Sequence, residues 1–141
     1  MDNNIKPSTI MLIAGGAVLL LSSFLEWNDR FGIDGSSGWE TELYGIQGII
    51  VAVIGLAVGG GVALTKFANV SMPERFLGFG HDQLHLVLGF SAFLIMFSLQ
   101  FQTGASIGIL LGWIASAVIV AGAYMDIQAA SGAGDSPPTQ F

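Results

Sequence analysis

This chain of 141 residues is 52% hydrophobic and only 10% charged, with a mean hydropathy of +0.71. That excludes an ordinary soluble domain, which carries about 25% charged residues. The absence of cysteine excludes disulfides, thiolate metal sites and cysteine nucleophiles. A net charge of −6 excludes the basic surface that nucleic-acid binding needs.

Residues 1–7 form a short polar lead, and four runs without Asp, Glu, Lys or Arg follow, at 8–25, 43–65, 84–101 and 106–125. Each approaches the roughly 20 apolar residues that cross a bilayer as a helix. Backbone amides in lipid must bond within their own segment, so helix is the form expected of them. The first run has Lys6 ahead of it but ends in Ser22-Ser23-Phe24-Leu25-Glu26-Trp27, without a small-x-small cleavage pattern. It reads as a retained anchor, with Trp27 at the level of an interfacial indole.

The loop 26–42 holds Glu26, Asp29, Asp34, Glu40 and Glu42 against the single Arg30. Its Asp34-Gly35 pair is a turn signal, and a small hairpin is one reading of it. The second run is rich in glycine, at Gly45, Gly48, Gly55, Gly59, Gly60 and Gly61. Glycine lets membrane helices approach closely, and the triple glycine is expected to loosen the end of this helix. In the loop 66–83, Ser71-Met72-Pro73-Glu74 fits a capping box with proline in the first turn. Phe76, Leu77 and Phe79 then supply an apolar side, so the sequence predicts a short helix lying at the membrane surface.

Asp82 is the expected N-cap of the third helix, along which Phe90, Phe93, Phe97 and Phe101 share one face. A connection of a few residues around Gln102-Thr103-Gly104 makes the third and fourth helices antiparallel neighbours. The tail 126–141 is rich in Gly, Ser, Ala and Pro and is expected to be disordered. Lys6, Lys66 and Arg75 on one side of the threading, against Arg30 on the other, favour both termini inside. The expected architecture is an all-α, antiparallel four-helix membrane bundle.

Three clusters are candidate sites. His81 and His85, four apart on one helix face, have the spacing of paired metal ligands. They lack the glutamate of the zinc-protease pattern, and the plainer reading is interfacial capping. Asp29, Asp34, Glu40 and Glu42 offer a cation or a basic partner a local negative field, though without an EF-hand spacing. Gly104, Gly108, Gly112 and Ser116, each four apart, form a groove for another helix, in this copy or a second one. Trp113 lies deep in the fourth run, where its indole N–H wants an acceptor such as Gln47, Ser91 or Ser98.

No charged side chain lies within a run interior, where pumps and proton-coupled transporters keep theirs. Neither a Walker loop, a dinucleotide fingerprint nor a nucleophile elbow occurs. The Ser22-Ser23-Phe24-Leu25-Glu26-Trp27 segment, followed by a glycine-rich second run, resembles small four-span membrane proteins of actinobacterial type. Those often carry Ser-Phe-Leu-Pro-Trp at this point, with proline where this chain has Glu26. The resemblance implies the layout and transfers no functional residue.

The expected role is therefore a non-catalytic assembly or accessory subunit of the bacterial plasma membrane, without cofactor. Its partners would be the lipid bilayer and either a second copy or another membrane subunit. An oligomeric pore lined by Gln47, Ser91 or Ser98, and a metal-dependent enzyme using His81 and His85, are the alternatives.

Overall fold

The computed structural model describes residues 5–28, 36–40, 46–103 and 106–134. Four helices dominate it: α1 (Pro7–Ser22), α2 (Gln47–Phe67), α3 (His81–Thr103) and α4 (Ile107–Gly134). Two small antiparallel strand pairs join them. They are β1 (Glu26–Asn28) with β2 (Ser36–Ser37), and β3 (Arg75–Phe76) with β4 (Phe79–Gly80). Helices α2, α3 and α4 are each long and apolar enough to cross a membrane, and α1 is a shorter apolar helix of 16 residues.

Pro7 opens α1, where its missing amide hydrogen has no helical partner to lose. The helix lies between α2 and α4 and runs antiparallel to both. Its approach to α2 is backbone against backbone. A Cβ on Gly16 would stand 2.5 Å from the Gly59 Cα, and one on Gly55 would stand 2.8 Å from the Gly16 carbonyl oxygen. On its other side, a Cβ on Gly15 would meet Ile119 Cγ1 at 2.8 Å. Adjacent glycines therefore let α1 sink between two neighbours, which is how helices gain contact where apolar burial adds little. Leu12, Leu19, Val51, Val58, Met96 and Ile119 fill the remaining space and are buried.

The glycine run of α2 does not unravel it. Residues Leu56–Gly60 form one π-helical turn, and α-helix resumes over Gly61–Phe67. Such a turn admits one extra residue without ending the helix.

Four sequence expectations need correction. The predicted surface helix over 71–80 is a β-hairpin, with Arg75 opposite Gly80 and Phe76 opposite Phe79. Its two central residues, Leu77 (φ 54°) and Gly78 (φ 85°), take the left-handed conformations of a two-residue hairpin turn, which no helix tolerates. The tail is helical as far as Gly134, because α4 continues past Met125 through Ile127-Gln128-Ala129-Ala130, residues that disfavour helix little. Residues 135–141 lie outside the described set. Asp82 is not the N-cap: α3 starts at His81, and the Gly80 amide donates to Gln83 Oε1 at 3.3 Å. Finally, Trp27 does not present its ring to the surroundings as an interfacial indole does but is wholly buried in the protein.

The phenylalanines of α3 do form a column. Phe90, Phe93 and Phe97 stack in sequence with centroids 6.5 and 6.3 Å apart, and Phe97 meets Phe101 edge-on at 5.0 Å. Trp113 of α4 braces the column at 5.6 Å from Phe93 and 6.3 Å from Phe97. Its Nε1 makes no hydrogen bond, and Ser91 bonds within its own helix, to the Val87 carbonyl.

Candidate binding cavity

At one end of the bundle the described residues pack closely on one another. Ser22 and Ser23 are buried, and their hydroxyls donate back to the carbonyls of Leu19 and Leu20 at 2.6 Å. The chain then turns, and the Trp27 indole N–H donates to the Ser22 carbonyl at 2.7 Å. Residues Gly38 and Trp39 clasp the same turn. The Gly38 amide donates to the Ser23 carbonyl at 3.0 Å, Trp39 Nε1 donates to Ser23 Oγ at 3.1 Å, and Phe24 stacks on Trp39 at 5.3 Å.

The small-residue line of α4 is occupied by this turn. A Cβ on Gly108 would lie 2.6 Å from Trp27 Cδ1, and one on Gly112 would run into the Met96 methyl and lie 2.9 Å from Ser22 Oγ. Ser116 is fully buried and donates to the Trp113 carbonyl at 2.7 Å. Gly108, Gly112 and Ser116 thus pack within one copy, and Gly104 lies outside the described residues. Of the acidic loop, Glu40 is exposed, and Asp29, Asp34 and Glu42 lie outside the described residues.

The opposite end is open. A cavity of about 800 Å³ lies between the ends of all four helices and the segment leading into β3. Lys6, the residue before α1, and Thr9 of α1 line it, as do Thr65 and Lys66 from the last turn of α2. His81, Asp82 and His85 enter from the first turns of α3, and Asp126 from α4. Leu12 and Val62, both buried, supply an apolar floor. The volume falls within the roughly 300–1,000 Å³ usual for small-molecule sites.

Two hydrogen bonds frame the cavity. Ser8 Oγ donates to Asp126 Oδ1 at 2.5 Å and fastens the start of α1 to α4. His81 Nε2 lies 2.7 Å from the Pro73 carbonyl oxygen. A carbonyl only accepts, so Nε2 carries the proton, and Nδ1 is the ring nitrogen left with a lone pair. His81 and His85 therefore share a cavity wall, but one is engaged in holding the loop. Among the described residues no group of three His, Asp or Glu side chains converges to hold a metal ion.

Sequence reasoning missed Asp126, which it left in the tail, and used Lys6 and Lys66 for orientation without seeing that they line one cavity. Neither a family model, a curated protein nor a solved structure matches this chain.

Proposed function

We propose that this chain is a small integral membrane protein acting as a non-catalytic assembly or accessory subunit, through the outer face of α3. The observation that carries this reading is an apolar ridge left uncovered on that helix. Val87, Phe90, Leu94, Phe97 and Phe101 are all exposed, at alternating spacings of three and four. That is the spacing of a helix–helix seam. Only 22% of the most apolar stretch of α3 is buried, against 44% in α2 and in α4. Mutual stacking and Trp113 already order the ridge, so a partner helix meets rings whose freedom has been spent.

In this reading all four helices cross the bilayer, with both termini on the cytoplasmic side. Lys6, Lys66 and Arg75 at the cavity end support that orientation by the positive-inside rule. At 1.5 Å per residue α1 spans about 24 Å, and the Ser22–Trp27 turn extends it toward the roughly 30 Å of a hydrocarbon core. The small-residue line of α4 does not support a contact between copies, because Trp27, Ser22 and Met96 fill it.

The test is the mass of the purified chain in mild detergent, by light scattering. Wild type is expected to run as a defined assembly. Phe90→Ala with Phe97→Ala is expected to disperse it, and Val53→Ala on the exposed face of α2 to leave it intact. A strict monomer with no stoichiometric companion would refute the subunit reading.

A further inference from the structure

The cavity at the His81 end has a feature that the α3 ridge does not use: its walls carry both signs of charge above an apolar floor. We propose that it takes the headgroup of a zwitterionic, amine-bearing phospholipid, with the phosphate at Lys6 and Lys66 and the amine at Asp126 and Asp82. The inference shares only the bilayer setting with the proposed function and is independent of the ridge.

Placement is the first argument. Lys6 is the residue before α1, Lys66 lies in the last turn of α2 and His81 begins α3. Three helix ends thus meet at one level, and that is the level of the headgroups when the helices cross a bilayer. Every lysine in the chain is at this cavity. A lysine ammonium is a point charge on a flexible stem, suited to a phosphodiester.

The acidic groups decide the class of lipid. Glu74, Asp82 and Asp126 line the same space, so the lining carries more fixed negative than positive charge. A purely anionic headgroup would face three carboxylates. A headgroup with its own ammonium places that group against Asp126, whose second oxygen remains available beside the Ser8 bond. The floor selects for a lipid over a free phosphoamine. Leu12 and Val62 are buried apolar side chains with nothing polar to offer a soluble ligand. Gly61 borders this open space, since a Cβ there would meet only the Met72 methyl, at an ordinary contact distance of 3.7 Å.

The test uses the full chain, delipidated in mild detergent and followed by native mass spectrometry. Phosphatidylethanolamine, phosphatidylglycerol with the same acyl chains and free phosphoethanolamine are titrated separately. The amine-bearing lipid is expected to bind roughly tenfold tighter than the glycerol lipid, the value of one charge-assisted hydrogen bond. Lys6→Gln with Lys66→Gln should lose a similar factor. Gly61→Phe should block binding by filling the cavity without touching charge, and Arg75→Gln should change nothing. Equal or tighter binding of phosphatidylglycerol would overturn the assignment. So would free phosphoethanolamine binding as tightly as the lipid, or an unchanged affinity in both the lysine and Gly61 variants.

Discussion

The two ends of the bundle solve opposite problems with the same four helices. At the Trp27 end four polar side chains turn inward to partners: Ser22 and Ser23 bond back to their own helix, and Trp27 and Trp39 bond to them. At the His81 end the helices part, and lysines, histidines and carboxylates face a shared space. Glycine placement makes the difference. Gly16, Gly55 and Gly59 let backbones approach, and Gly15 and Gly112 admit Ile119 and Met96, in the middle of the bundle and toward the Trp27 end. Beyond Gly61 the α2 side of the cavity is Thr65 and Lys66, both exposed.

The largest expected effect is at the Trp27 end. Trp27→Ala removes a fully buried indole packed against Gly108 and Gly38, and should cost about 3–5 kcal/mol. Reversible unfolding by dodecyl sulfate from mild-detergent micelles measures it. A loss below 1 kcal/mol would mean that Trp27 is a peripheral anchor after all. Gly16→Leu follows, at about 3 kcal/mol. The added side chain meets Gly59 backbone rather than a movable side chain, so α1 and α2 must separate. Retention of full stability in that variant would disprove the close crossing.

Legibility in the sequence divided along the same line. The four apolar runs, their helical form and the antiparallel pairing of the last two could be read from charge spacing and loop length alone. The Phe90–Phe101 column was legible because its period is strong. The role of Trp27 was not: a tryptophan at the end of an apolar run looks interfacial. Only the return of Gly38 and the bare surface of Gly108 turn it inward. Gly15 and Gly16 were likewise unremarked, although the α1 crossing depends on them, because a pair of glycines has no periodicity. The cavity was legible only in pieces. His81 and His85 were found by spacing, whereas Lys6, Lys66 and Asp126 come together through a fold that no local pattern encodes.

At the open end a smaller effect is expected from Ser8→Ala. It removes the hydroxyl that donates to Asp126 and should cost about 1 kcal/mol, below the roughly 1.5–3 kcal/mol of a bond to a charged group because the bond is only partly buried. The same dodecyl sulfate titration measures it. The cost should vanish in an Asp126→Ala background, which removes the acceptor, if the bond is the sole coupling. A cost that persists there would show that Ser8 acts through packing alone.

The smallest expected effect has a sign that separates two structures for one segment. Leu77 sits at φ 54° and is 80% exposed, so it stores left-handed backbone strain without burying its side chain. Asparagine enters that conformation more readily than leucine, by part of the roughly 1–2 kcal/mol that other L-residues lose there. If residues 75–80 form the hairpin, Leu77→Asn should stabilise the chain by about 0.5 kcal/mol. If they formed the surface helix that Ser71-Met72-Pro73-Glu74 suggests, the same substitution would cost a comparable amount, because asparagine is the poorer helix former. Unfolding of the variant beside wild type decides between them. The outcome also bears on the open end, since the hairpin leads directly into His81 and sets where the α3 wall of the cavity begins.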